Sequence, residues 1–502
     1  MRRKSLAATG LIFLASCPVL EAQANCDLVW TTVPADSPGD TRASLGPMAL
    51  ISDSDIWAVG GYQEGNGRKT MAQRWDGERW SIVATPNGPR GSNFLTGISA
   101  ISSTDIWASG YSADIEVGKV ESETMVQHWD GESWKIIPTP NLTEADVPEE
   151  FGGYPVQNEL YGIAAAGPDD VWAVGRSYTF SAGQELVIHW NGESWTVVPT
   201  PHPGLYGWLR GILAVASDDV WAFGESYLEI TLPGEEGGTG NLQQNLILHW
   251  NGVEWSVVPS PNLGPAVNGL FGGSVVAPDD IWAVGYHLEV FGVNQVNHPS
   301  MLHWDGNEWS TVRIEVHNRE NTYLFAVSAF SSEDAFAVGF YDTGPPSPKI
   351  LTLVEHWDGL EWKILPSADP HDLDYLYGVA AVFPDDVWAV GEGASGEILG
   401  GIIIERYTAA CLEGVFLRGD SNSDGAVDIS DPVATLNFLF LGGQTPPCFD
   451  ALDADDDGSI VITDAIFVLD FLFQGGVELP LPRETPGFDP TPDDPYDCQN
   501  RI

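Results

Sequence analysis

Residues 170–175 read DVWAVG and residues 128–134 read HWDGESW, and these two phrases alternate along most of the chain. The first recurs with its aromatic at Trp57, Trp107, Trp172, Trp221, Trp282, Phe336 and Trp388, about 55 residues apart on average. It follows an apolar run and a short turn ending in Asp, so it reads as strand, turn, strand. The second places Asp-Gly or Asn-Gly between apolar residues, the strongest short-range hairpin signal, because both central residues need positive φ. Its leading aromatics are Trp75, Trp129, Trp190, Trp250, Trp304 and Trp357, and its closing ones Trp80, Trp134, Trp195, Trp255, Trp309 and Trp362.

Together the phrases supply four strands per unit, the anatomy of a propeller blade. The last unit, that of Trp388, supplies only three strands, ending in 403–407, IIERY. The missing fourth matches 28–34, LVWTTVP, so the amino-terminal strand is expected to close the ring. The expected fold is mainly β: a seven-bladed β-propeller over 25–411, followed by a small α-helical calcium-binding domain over 412–502. Cys26 and Cys411 fall where the Asp-Gly turn of the composite blade would lie, which suggests a bridge between them, although other pairings are open.

Of the 20 tryptophans, all but Trp208 sit at repeat positions. An aromatic present in nearly every unit reads as packing between units. The aspartates that open each DVWAVG strand read as turn caps through bonds to backbone. The histidines before the hairpin tryptophans read as part of the same scaffold.

The alternation of DVWAVG with HWDGESW resembles the kelch-like, tryptophan-rich repeat propellers of bacterial exported proteins. The resemblance implies a fold and a display surface without a particular chemistry. Connections on one face of the expected ring are short and uniform, and those on the other vary, with long excursions at 111–124, 141–158, 225–245 and 286–299. Recognition is expected on the variable face. Tyr62, Tyr111, Tyr178, Tyr227, Tyr286 and Tyr341 follow the DVWAVG strand and Trp208 lies nearby. They would ring the channel mouth and stack on a ligand, or else only finish the core. No pair of carboxylates or nucleophile with its base breaks the repeat, so the sequence offers no catalytic residues.

Beyond 411 the composition turns acidic and a loop signature occurs twice. In 420–431, DSNSDGAVDISD, the ligand positions are Asp420, Asn422, Asp424, Ala426 (carbonyl), Asp428 and Asp431. In 453–464, DADDDGSIVITD, they are Asp453, Asp455, Asp457, Ser459 (carbonyl) and Asp464. Ca²⁺ takes six to eight hard oxygen ligands, and oxygens at alternate positions of a twelve-residue loop, with Gly at position 6, wrap one ion. Val461 at position 9 of the second loop has no side-chain oxygen. Helices are expected over 432–441 and 465–473. A duplicated loop plus one helix resembles type I dockerin domains, in the form found in planctomycete exported proteins. That implies Ca²⁺ and a cohesin-like partner, although these helices lack the basic residues dockerins use. A second bridge, Cys448 to Cys498, would pin the terminus back.

At the other end, Met1–Lys4 and the apolar stretch that follows, up to Ala22-Gln23-Ala24, read as a signal peptide over 1–24. The protein is then secreted or periplasmic. Residues 14–17, LASC, also fit a lipobox, which would make it an outer-membrane lipoprotein through Cys17. A net charge of −50 works against nucleic acid and anionic membrane as partners and leaves an extracellular polysaccharide or a cell-surface protein. The chain is expected to be a monomer. The leading expectation is a binding or structural protein, and the rival is a carbohydrate-active enzyme.

Overall fold

A computed structural model describes residues 27–38, 42–116, 119–146, 156–179, 183–231, 239–291, 294–314, 321–344, 349–395, 398–410, 415–422, 426–441, 446, 448–481, 483 and 487–488. The chain divides into two compact units, one of Val29–Thr408 and one that contains everything from Ala409 onward.

The larger unit is built from antiparallel four-stranded sheets in simple up-and-down order. Five are separate, the first made of Ala43–Ser52, Asp55–Glu64, Gly67–Trp75 and Trp80–Val83. The remaining strands form one eight-stranded sheet, whose halves meet through a single parallel pair, Ile350 with Leu373. The strand Asp27–Thr32 lies at its edge against Ile398–Ala410, and Val33 N–H continues the ladder to Ile404 O at 2.8 Å. The first and last segments of the unit therefore share a sheet. This follows from sequence, since the last half-sheet makes only three strands of its own and would otherwise leave a bare edge.

What joins sheet to sheet is aromatic packing. Trp57 meets Trp129 and Trp134 of the second sheet at 5.1 and 5.8 Å between ring centres. Trp107, Trp172, Trp221 and Trp282 repeat this on the hairpin tryptophans of the next sheet along. Phe336 meets Tyr407 and Trp30. Trp388 meets Trp75 and Trp80 of the first sheet, so the circuit closes on itself. Each second-strand aromatic is at most 3% exposed.

The aspartates at the strand starts do not cap turns as expected. Asp170 Oδ1 instead accepts from Trp172 Nε1 at 2.9 Å and lies 2.8 Å from His189 Nε2, whose ring lies 4.1 Å from the indole. Asp105 and Asp219 hold the same pair of partners. In the first and last sheets an arginine takes the histidine's place, Arg74 on Asp55 and Arg406 on Asp386. A strand-borne carboxylate points away from its own turn and toward the neighbouring strand, so it satisfies a buried indole N–H instead.

Among the described residues, three of the four expected long excursions extend the second and third strands: 111–116 pair with 119–124, 225–231 with 239–245 and 286–291 with 294–299. Alternating side chains such as those of 119–124, KVESET, carry the ladder outward. Of 141–158, residues 147–155 lie outside the described residues.

The smaller unit holds two helices, α1 (Ser430–Leu441) and α2 (Ile462–Gln474), packed on one another. Each begins a few residues before the expected start, because the aspartate at loop position 12 lies inside the first turn. α2 ends at Gly475, which has φ +67°.

Candidate functional site at the channel mouth

Every first strand contains a register irregularity directly after its buried leucine: at Leu45, Leu95, Leu160, Leu209, Leu270, Leu324 and Leu376. A bulge leaves one residue without a partner and re-aims its side chain. The residues left over are Gly46 with Pro47, Thr96, Tyr161, Arg210, Phe271, Phe325 and Tyr377, and all of them line one cavity of about 490 Å³ among the first strands. The residue after the bulge is usually glycine, for a steric reason. A Cβ on Gly211 would sit 2.6 Å from Gly272 Cα, and one on Gly378 2.1 Å from Gly46 O. At those two positions the first strands approach too closely for anything larger, whereas a Cβ on Gly272 would meet nothing nearer than 3.9 Å.

Around these residues lies a second set, from the position just after the second-strand glycine: Gly61, Tyr111, Arg176, Glu225, Tyr286, Phe340 and Glu392. The two sets form a continuous rim. Glu159 accepts from Arg176 Nε at 2.9 Å, Tyr161 OH at 2.5 Å and Tyr178 OH at 3.0 Å. Arg176 lies over Tyr178 and Trp208, at 4.1 and 4.2 Å. Arg210 forks onto fully buried Glu225 at 2.8–3.1 Å and reaches over Phe271 at 5.3 Å. Phe325 lies 4.9 Å from Phe271 and 5.3 Å from Tyr377, and the Tyr377 hydroxyl donates to Glu392 at 3.2 Å.

Burial and, after it, the nearby carboxylate push the Tyr161 and Tyr377 phenols well above their usual range, and Tyr111 to about 12. The Tyr161 and Tyr377 hydroxyls stay protonated and donate to Glu159 and Glu392. Burial opposes the charge on Arg210, and Glu225 more than restores it. The site therefore offers partly exposed aromatic faces, fixed donors and paired charges.

Of the residues singled out in the sequence, five belong to this rim. Tyr111 stacks on Phe94 at 4.7 Å, Tyr178 binds Glu159, Trp208 lies under Arg176, Tyr227 lies 6.0 Å from Trp208, and Tyr286 lies 5.4 Å from Phe271. Tyr62 and Tyr341 instead pack on the apolar clusters between sheets. Sequence reading missed the bulge residues, although the recurring Leu-x-Gly of the first strands marks them.

In the smaller unit, carboxylate oxygens of Asp453, Asp455 and Asp457 lie within 4.8 Å of one another. Asp464, almost fully buried, accepts from the N–H groups of Ala454 and Val461 at 2.9 and 2.8 Å. Burial first, with neighbouring carboxylates adding to it, raises Asp453 and Asp455, and brings Asp464 to about 6. In the first loop Asp431 plays the part of Asp464, accepting from Asn422 and Asp428 N–H. Asp420 is buried, and Ala426 and Ser459 are exposed. Asp424 lies outside the described residues, as do Cys26, Cys411 and Cys498. Cys448 is buried beside Phe416 and Ala451.

No family model matches the chain, and no curated protein does. Among solved structures, YCF48 bound to D1 peptide gives a TM-score of 0.41 at 14% identity, over 76% of this chain and 96% of that one. The GH74 xyloglucanase from Xanthomonas campestris gives 0.42 at 10%, over 80% and 59%. A PL25 ulvan lyase bound to -[GlcA(1-4)Rha3S]- gives 0.42 at 10%, over 76% and 93%. These neighbours are β-propeller proteins, and at such identities the likeness concerns the fold alone.

Proposed function

We propose that the larger unit is a kelch-like, seven-bladed propeller, its eight-stranded sheet being two blades bridged at one point, and that its channel mouth is a binding platform for a carbohydrate chain. The observation that carries this is the set of bulge residues: Tyr161, Arg210, Phe271, Phe325 and Tyr377 all face one cavity. Sugars present C–H faces that stack on aromatic rings and hydroxyls that pair with fixed donors and acceptors. The carboxylates of this mouth, Glu159, Glu225 and Glu392, are each engaged by an arginine or tyrosine, which favours holding a ligand over hydrolysing one. Affinity electrophoresis of the full chain in gels containing plant or algal polysaccharides tests this. Retardation that is lost in Tyr377→Ala and Phe325→Ala, with no sugar released on incubation, is expected. Released oligosaccharides would instead favour a carbohydrate-active enzyme.

The smaller unit reads as a dockerin-like, Ca²⁺-binding module that attaches an exported protein to a partner of cohesin type. Three converging carboxylates, with Asp453 and Asp455 raised in proton affinity by burial and by neighbouring charge, are a donor set that a hard divalent cation neutralises. In the second loop Asp453, Asp455, Asp457 and Asp464 would hold the ion, with the Ser459 carbonyl. In the first, Asp420, Asn422, Asp424, Asp428 and Asp431 would do so, with the Ala426 carbonyl. Calorimetric titration of the full chain with CaCl₂ should show two sites, and Asp453→Asn with Asp455→Asn should remove one. Mass spectrometry of the unreduced secreted protein tests the pairings Cys26 to Cys411 and Cys448 to Cys498, and whether a lipid sits on Cys17.

A further inference from the structure

The first sheet departs from the others at both rim positions. Where its neighbours carry Thr96, Tyr161 or Arg210 at the bulge, it has Gly46 and Pro47. Where they carry Tyr111, Arg176 or Glu225 after the second-strand glycine, it has Gly61. That second space is filled from another strand. A Cβ on Gly61 would meet Lys69 O at 2.6 Å and Arg68 Nε at 3.0 Å, so the missing side chain leaves room both for the backbone of the next strand and for the Arg68 guanidinium. Arg68 lines the cavity beside Ser44, Phe94 and Gly97. Its guanidinium donates to Ser44 Oγ and, at 3.1 Å, to Gly61 O, and stands 5.8 Å from the Phe94 ring.

The other arginines of the mouth are all paired: Arg176 with Glu159, Arg210 with Glu225 and, at 3.3 Å, Arg42 with Glu392. Arg68 is the exception, since its hydrogen-bond partners are both neutral. Burial lowers its proton affinity, with Glu392 opposing that at longer range and Arg42 adding to it. A half-buried guanidinium with neutral partners keeps N–H donors that a carboxylate or sulfate oxygen satisfies better than a hydroxyl does.

We infer that the ligand of the channel mouth is an acidic saccharide, whose anionic group docks on Arg68 while its ring lies against the neighbouring aromatic faces. This rests on the binding reading given above and adds the charge class. The net charge of −50 does not forbid it. At 0.15 M salt, charges beyond about 8 Å are screened, so the local arginine decides the interaction inside the mouth.

The test uses the full chain at 0.15 M NaCl against polygalacturonate, as a uronate, against carrageenan, as a sulfated glycan, and against xyloglucan and laminarin, as neutral ones. At least one acidic polymer is expected to bind more tightly than both neutral ones, with wild-type affinity falling as NaCl rises. Arg68→Gln should weaken that binding at least tenfold and weaken any neutral binding by a much smaller factor. Arg68→Lys, which keeps the charge without the fork, should fall between. Thermal melts that coincide for all three proteins separate this from misfolding. Binding of neutral glycans only, or acidic binding indifferent to Arg68→Gln and to salt, overturns the inference and leaves the platform standing. No binding to any of the four overturns both.

Discussion

Two positions four residues apart on the same strand meet opposite fates. At the first, the side chain is Trp57, Trp107, Trp172, Trp221, Trp282, Phe336 or Trp388. At the second it is Gly61, Tyr111, Arg176, Glu225, Tyr286, Phe340 or Glu392. The first set packs on the hairpin aromatics of the next sheet, and because that neighbour repeats the same surface, every copy meets the same constraint. The second set lies around the bulge residues of the mouth, where its partners differ from sheet to sheet. Sequence uniformity therefore marks the scaffold, and departure from uniformity marks the place where the molecule can recognise something.

The largest expected effect lies in the aromatic belt. Trp172→Ala removes a ring lying 5.0 and 5.5 Å from Trp250 and Trp255, and should destabilise the protein by roughly 3–5 kcal/mol in urea unfolding. An equal loss from Phe325→Ala at the mouth would break the comparison, since that side chain is to serve ligand and not fold.

Next comes a belt position that changes along the ring. Gln73 and Gln127 donate from Nε2 to the carbonyls of Asp36 and Pro86, whereas the last sheet has Glu405 there, fully buried and raised by burial to about 8. The folded chain thus keeps a proton that the unfolded chain gives up near 4.5. This contribution is complete below about pH 4.5 and is lost as pH rises through 8. Glu405→Gln, which restores the residue of the first two sheets, should flatten that decline and add a few kcal/mol at pH 9, measured by denaturant midpoints from pH 5 to 9.

A smaller cut sharpens the same contrast. Asp170→Ala leaves the Trp172 indole N–H without its acceptor and His189 without its partner, at about 1–3 kcal/mol. The same change at Asp105 or Asp219 should cost the same within error, because the belt is uniform. The smallest effect belongs to the mouth: Tyr377→Phe removes one bond to Glu392 and should cost about 1 kcal/mol or less, while measurably weakening saccharide retention.

Much of this was legible in the residues. The Asp-Gly and Asn-Gly turns, the paired tryptophans and the three-strand remainder at the end predict the sheets and the returning amino-terminal strand, because each is a local signal with one structural solution. The extended hairpins look like long connections in the sequence because their alternation is weak beside the tryptophan repeat. Tyr62 and Tyr341 occupy the same stretch of their strands as Tyr111 and Tyr286, yet they pack into the core. One residue of offset turns a side chain to the other face of a strand, and a list of tyrosines after the glycine blurs that offset.

What the sequence determined by itself is therefore the repeat, its strands and the two acidic loops, each set by contacts or turn chemistry within a few tens of residues. What only the tertiary structure decided is the content of the channel. Its wall is assembled from the bulged residues of the first strands, drawn from positions between 46 and 377, and no local pattern says that Arg68 occupies the space Gly61 leaves open. Proximity across a closed ring depends on where the chain returns, and neighbouring residues carry no record of that.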